Sequence, residues 1–286
     1  NQNLKRIQSQ WDSIKDAIER AVDLVNRFGI DRDNLTSANA LIPVIYYLFK
    51  NPGMRLNTSN SEEVQNSSII RTWFSFSLLN NVFSGQSDNM LRDVRRKLVT
   101  ISEGQFFPAE QINEVIRNAG RTAGFCRYTL ENFIDFRYQQ RQTFLALSLL
   151  YDENNWGTAN FHKDHVFPQD MFKAKSMEKM GLRLENQAAF LEKKDCIGNL
   201  MLLRSEENQE KSNKPFEKWI NTRAESFQDR HLIPDDSELY HFENFLAFIR
   251  AREKLIKERL QTLFGPVPDE VSQSDEDEYE AEIVEI

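Results

Sequence analysis

The stretch Phe161-His162-Lys163-Asp164-His165-Val166-Phe167-Pro168 holds two of the four histidines of the chain and an aspartate, and it ends at a proline. Its composition predicts a short β-strand, in which alternate side chains share a face, so His162 and Asp164 are expected on one face and His165 elsewhere. A carboxylate suits a hard cation such as magnesium, and an imidazole that binds no metal can accept a proton from water near neutral pH. Taken singly, each residue is more readily explained as a surface or hydrogen-bonded side chain than as a functional one.

A second extended run covers residues 197–203 and includes Gly198-Asn199-Leu200. It is followed by Asn208 and by Lys211-Ser212-Asn213-Lys214-Pro215-Phe216, where the proline predicts the start of a helix over 213–220. Two strands and a helix separated by loops predict a small ββα unit. The charged, helix-prone insert between the two strands is long for a minimal unit of this kind.

The rest of the chain is predicted to be helical, because apolar residues recur at three- and four-residue steps between glycine and proline stops. The predicted fold class is mainly α: a multi-helix domain with an embedded small ββα-metal unit. The predicted parts are a helical domain over 1–155, the ββα unit over 156–222, C-terminal helices packing on the body over 223–265, and an acidic disordered tail over 266–286. Within the first part, the predicted helices run from Trp11 to Gly29 and over 38–49, 62–82, 90–101, 109–119 and 128–151.

The amino-acid composition excludes several classes of protein. None of the apolar runs approaches the roughly 20 residues of a membrane span, so a membrane protein is excluded. Two cysteines cannot make a disulfide framework or a four-thiolate zinc site, which favours a reducing, cytoplasmic setting. The net charge of −8 comes mainly from nine acids in 267–286, without which 36 basic residues face 35 acidic ones. A near-neutral body permits a phosphate-binding site without demanding one.

Together, Asp164-His165-Val166-Phe167-Pro168 and Gly198-Asn199-Leu200 resemble the HNH, or ββα-metal, nucleases. The wider context, with Trp11 and Leu41-Ile42-Pro43-Val44-Ile45-Tyr46-Tyr47-Leu48 ahead of the motif, is similar to the C-terminal half of GmrSD-type proteins. These are bacterial modification-dependent defence nucleases, and the phosphorothioate-sensing SspE-like effectors are similar. The resemblance covers most of 1–222 and is tight over 161–216.

The resemblance implies a DNA endonuclease that uses Mg²⁺ or Mn²⁺, cuts one strand of double-stranded DNA and forms the effector part of an anti-phage system. It also implies a nucleotide-hydrolysing domain upstream in the same protein, so we expect this chain to be a piece of a longer one. Asn208 stands where many HNH enzymes have histidine, which favours a hard metal over zinc. The implied roles are Asp164 and Asn208 as metal ligands, His165 as general base, Asn199 as the structural asparagine, Lys211 near the scissile phosphate, and His162, Asn213 and Lys214 as phosphate contacts or supports of the ligands.

Two other functions stay open at this stage. The helical body could be a docking and regulatory module whose HNH unit binds DNA without cutting it, although the complete set of motif residues speaks against degeneracy. The motif is also compatible with an RNA substrate. Metal-dependent nicking of a plasmid separates the enzyme from the binding module.

Overall fold

The computed structural model describes residues 2–56, 60–85, 87–151, 156 and 160–267. The acidic segment 268–286, for which the sequence predicts disorder, lies outside these ranges. The described part is mainly helical, as predicted, and none of its helices is long and apolar enough to cross a membrane. The helices are α1 (Gln2–Ser9), α2 (Trp11–Arg27), α3 (Leu41–Lys50), α4 (Ser61–Leu79), α5 (Asp88–Val99), α6 (Ala109–Asn118), α7 (Arg127–Phe133), α8 (Thr143–Ser148), α9 (Ala174–Lys179), α10 (Leu184–Lys193), α11 (Ser205–Lys211), α12 (Phe216–Ile220), α13 (Glu225–His231) and α14 (Phe245–Phe264).

A two-stranded antiparallel sheet joins β1 (Phe161–His165) to β2 (Leu200–Arg204), and α11 follows β2 directly. The sheet separates two buried apolar clusters. Leu200 and Leu202 of β2 belong to the cluster formed mainly by α2–α8, whereas Met201 and Leu203 belong to the cluster formed by α9, α10, α12 and the start of α14. Because successive side chains of a strand point to opposite faces, β2 is buried on both faces and its register is strongly specified.

The long helix α14 contributes to both clusters. Phe245, Phe248 and Ile249 near its start are buried in the second cluster, and Ile256 and Leu260 farther along are buried in the first. The predicted C-terminal helix therefore packs on the body, and it ties together the two groups of helices on either side of the sheet.

The buried face of α2 is not the stripe that first stands out in the sequence. Ala17 and Ala21 are fully buried in the first cluster, whereas Trp11 is 56% exposed and Ile18 is 39% exposed. Alanines allow close approach of two helices, and α2 packs on α3 along this side. The spacing of the apolar residues predicted the helix correctly, but packing selected the neighbouring, smaller side chains for the core.

The single helix predicted over 128–151 is two short helices, α7 and α8, with an irregular loop between them. The backbone of this loop hydrogen-bonds to the segment ahead of β2. The Tyr138 N–H donates to Asp195 O at 2.8 Å, and the Ile197 N–H donates to Phe136 O at 3.0 Å. These long-range bonds replace the helical ones, because the buried peptide groups find partners in another part of the chain.

A fully buried arginine on α14 holds the turn that leads into β2. The Arg252 guanidinium donates to Gly198 O at 2.8 Å and to His231 O at 3.0 and 3.2 Å. Burial lowers the pKa of Arg252 to about 10, so the side chain stays charged at neutral pH. A side chain on Gly198 would come within 3.1 Å of Ile249, so glycine permits the close approach of the turn to the helix.

Acid is expected to destabilise the fold through His231. Burial, followed by the nearby charges of Arg230 and Arg252, holds the pKa of His231 well below its ordinary value of 6.5. The unfolded chain then binds a proton that the folded chain does not, so this stability is present above about pH 6.5 and is lost as the pH falls, by about 1.4 kcal/mol per pKa unit. We expect the free energy of unfolding in urea to decrease from pH 8 to pH 5, and His231→Phe to show a shallower decrease.

The control for this pH dependence is His241→Ala. His241 is exposed, and its hydrogen bond to Glu217 raises its pKa, so its contribution has the opposite sign and disappears as the pH rises. Equal acid dependence in wild type and His231→Phe would contradict the assignment.

Candidate active site

The last two residues of β1 direct their side chains to opposite faces of the sheet, as predicted. Asp164 and His162 both contact α11, through Lys211 and Ser205 respectively. His165 contacts the opposite side, where the loop between α7 and α8 packs. Two different chemical environments are therefore created at adjacent residues.

The His165 imidazole is buried and held by a carboxylate. Its side chain is 6% exposed, its Nε2 lies 2.8 Å from Asp195 Oδ1, and the Tyr138 ring packs on it with 4.6 Å between ring centres. A carboxylate can only accept a hydrogen bond, so Nε2 carries the proton. Burial lowers the pKa of His165, and the Asp195 hydrogen bond opposes this only in part. The imidazole is thus neutral near pH 7, which is the form a general base requires.

Asp195 is a site residue that the sequence did not reveal. Its Oδ2 accepts a hydrogen bond from Gln139 Nε2 at 2.9 Å and lies 3.7 Å from Lys194 Nζ. Burial alone would raise the pKa of Asp195, but the hydrogen bonds from Gln139 and His165 outweigh it and keep that pKa below its ordinary value. In the sequence, Asp195 stands four residues before Asn199, and this position alone does not identify it as a site residue.

Asn199 joins the end of β1 to the turn before β2. Its side chain is fully buried; Oδ1 accepts from the Phe167 N–H at 2.9 Å and Nδ2 donates to Lys194 O at 2.7 Å. Its backbone oxygen accepts from the Val166 N–H at 2.8 Å. Since Lys194 precedes Asp195, the same bonds help to position the carboxylate beside His165.

Asn208 lies on the face of α11 that covers β1. Ser205, Asn208 and Lys211 are spaced by three residues, so Asn208 lies on the helix surface between the other two. Ser205 Oγ is 3.0 Å from His162 Nε2, and Lys211 reaches Asp164, so both neighbours contact β1. Asn208 is half-buried, and among the described residues its side chain has no hydrogen-bond partner.

Lys211 is fully buried behind Asp164. Its Nζ is 2.6 Å from Asp164 Oδ2 and donates to His165 O at 2.6 Å, and it lies 5.7 Å from the centre of the Trp219 ring. Burial lowers the pKa of Lys211, and the adjacent Asp164 carboxylate opposes that shift. The structure therefore places this ammonium in the interior against the Asp164 carboxylate, and its position near the scissile phosphate stays a prediction.

The remaining two candidate phosphate contacts, Asn213 and Lys214, are exposed on the turn after α11. Asn213 Nδ2 donates to Asp170 Oδ2 at 2.8 Å. Ser212 adopts a positive φ of 45°, which turns the chain sharply at this point. Both side chains lie at the surface, next to the end of the helix that carries Asn208.

The donor set is compatible with a hard divalent cation. Asp164 supplies a carboxylate of which one oxygen contacts Lys211, and Asn208 supplies a carboxamide on the facing helix that has no hydrogen-bond partner within the described ranges. Mg²⁺ commonly binds one or two protein oxygen ligands and completes its coordination with water and substrate phosphate. The described residues contain no group of three or more His, Cys, Asp or Glu side chains that could form a closed metal site such as structural zinc requires.

The described part of the chain is a mainly helical body that encloses a strand–strand–helix unit. Asp164, His165 and Asn208 lie on or beside β1 of this unit. Residues 121–259 match the family model of the C-terminal domain of GmrSD restriction endonucleases. This match agrees with the resemblance seen in the motifs, and the matched residues include every residue of the candidate site. None of the curated proteins compared matches the chain.

Proposed function

We propose that this protein is a metal-dependent DNA endonuclease of the ββα-metal type that nicks one strand of double-stranded DNA. The observation that carries the proposal is the neutral, carboxylate-held imidazole of His165 directly after Asp164, with Asn208 facing the same strand. The match to a restriction endonuclease domain supports the same reaction class.

His165 is the general base in this proposal. Its Nε2 proton is engaged by Asp195, so Nδ1 is the nitrogen that accepts a proton from the attacking water. Asp195 orients the ring and stabilises the positive charge that the ring acquires, and Gln139 holds Asp195 in turn. Because the ring is nearly enclosed, substrate binding must admit a water molecule to it.

Asp164 and Asn208 are the proposed ligands of Mg²⁺ or Mn²⁺. An ion held by these two residues would supply charge stabilisation to the phosphate and to the leaving 3′ oxygen. Asn199 contributes by fixing the turn that positions both strands, and His162 by holding the start of α11 against β1. One site of this kind cuts one strand.

That the substrate is DNA is part of the same proposal. The resemblance to GmrSD-type and SspE-like proteins supports an effector role in modification-dependent, phosphorothioate-sensing defence against phage, with a nucleotide-hydrolysing domain of the same protein sensing the modification. Asn213 and Lys214, which are exposed next to α11, are the proposed contacts to the DNA backbone. Surface residues of this type position a duplex without reading its sequence.

The proposal is tested with supercoiled plasmid, Mg²⁺ or Mn²⁺, and EDTA. We expect metal-dependent conversion to open circles that EDTA stops. Asn208→Ala should slow nicking at least about tenfold without changing the free energy of unfolding, because its side chain has no partner to lose. Asn199→Ala is the matched contrast, expected to cost about 2–4 kcal/mol of stability because buried partners lose their hydrogen bonds.

Nicking that persists in EDTA would overturn the metal-dependent mechanism. Retained DNA binding without cleavage, in the longest protein that carries this chain, would support a silent binding module instead. A parallel assay on RNA of the same sequence identifies an RNA-directed enzyme.

A further inference from the structure

A buried lysine directly beneath a proposed metal ligand is the least expected feature of the site. The Lys211 side chain is fully buried; its Nζ forms an ion pair with Asp164 Oδ2 at 2.6 Å and donates a hydrogen bond to His165 O at 2.6 Å. The face of Trp219 covers a further side of the ammonium. A charge in such surroundings persists only when it is paired and hydrogen-bonded, so Lys211 is a fixed part of the site.

This pairing changes the charge that a metal ion would meet. Asp164 carries one negative charge and Lys211 cancels it, while Asn208 is neutral. The Asp195 carboxylate is engaged by His165, Gln139 and Lys194 on the other face of the sheet. The affinity of oxygen-ligand sites for divalent cations depends on the charge and number of their ligands, so one neutralised carboxylate and one carboxamide make a weak site.

We propose that Lys211 is a built-in counter-cation that keeps the metal affinity of the free protein low, so that the divalent ion and the DNA phosphate bind together. This inference rests on the proposed metal-dependent function. A backbone phosphate of the substrate adds the negative charge that Lys211 removes. By linkage, the metal then raises the affinity for DNA by the same factor by which DNA raises the affinity for the metal.

The same contacts explain how Asp164 keeps its position when no cation is bound. Lys211 joins the carboxylate to the His165 carbonyl and thus to the end of β1, while Ser205 joins the start of α11 to His162. The Asp164 carboxylate is therefore held at the end of β1 by its contact with Lys211.

Mn²⁺ binding, followed by the electron paramagnetic resonance signal of the free ion, tests the inference without relying on activity. All proteins carry His165→Ala so that DNA stays intact, and each is titrated with and without a short duplex. Lys211→Met removes the charge and keeps the length of the side chain; we expect it to tighten Mn²⁺ binding to the DNA-free protein at least about tenfold. It should also shrink the gain that DNA provides. Lys218→Met, exposed on α12, is the matched control and should change neither value.

Unchanged Mn²⁺ affinity in a folded Lys211→Met protein overturns the inference and leaves the proposed function intact. Absence of Mn²⁺ binding in every protein, with and without DNA, overturns the proposed function itself. If Lys211→Met does not fold, the protein with Lys211 intact still tests whether DNA and Mn²⁺ binding are coupled. Equal Mn²⁺ affinity with and without duplex would contradict the coupling, and a tenfold or greater gain with duplex would support it.

Discussion

DNA cleavage is expected to fall by about 10²–10⁴-fold when His165 is replaced by alanine, because the reaction loses the group that accepts the proton of the attacking water. DNA binding should persist, since the imidazole is buried and contacts Asp195 and Tyr138. The measurement is the single-turnover rate of plasmid nicking, with circular dichroism to verify that the variant is folded.

Two further variants separate a general base from a packing residue. Asp195→Asn preserves the shape of the side chain but not its charge, and we expect about a 10–100-fold loss of rate from a poorly oriented ring. His241→Ala should leave the rate unchanged, because His241 is exposed and paired with Glu217 outside the site. Full activity in His165→Ala would remove the imidazole from the mechanism.

A loss of stability of about 2–4 kcal/mol is expected from Arg252→Leu. The substitution leaves the buried carbonyl oxygens of Gly198 and His231 without donors, and relief of the desolvation of the guanidinium offsets this cost only in part. Denaturation in guanidinium chloride measures the effect as a lower midpoint. Because the turn at Gly198 precedes Asn199, the loss of nicking activity should follow the loss of structure.

Arg250→Leu on the same helix is the matched control. Arg250 is exposed, so its replacement should change the free energy of unfolding by no more than about 0.5 kcal/mol. Equal midpoints for Arg252→Leu and wild type would show that the turn before β2 is held by packing alone.

The strand that carries Asp164 and His165 was predictable because the sequence features that specify it lie within the strand and directly after it. Alternation along β1 specifies which side chains share a face, and the proline after Phe167 ends the strand. The helical body was predictable for the same reason, since three- and four-residue spacing of apolar side chains indicates a helix wherever it packs.

The helix α11 and the loop between α7 and α8 were not predictable in this way. The seven residues of α11 carry little apolar periodicity, and their contacts with His162 and Asp164 hold them against β1. In the loop, an apolar stripe favoured one continuous helix. Hydrogen bonds from residues 50 or more positions away gave its backbone a competing set of partners.

The sequence by itself determined the mainly helical fold, the face of β1 on which each catalytic candidate lies, and the similarity of residues 121–259 to the C-terminal domain of GmrSD restriction endonucleases. The tertiary structure alone decided that Asp195 holds His165 and that Lys211 lies buried against Asp164. The physical reason is distance along the chain. Asp195 meets His165 across 30 positions, and Lys211 meets the end of β1 across 46, only after α10, β2 and α11 have packed around the sheet.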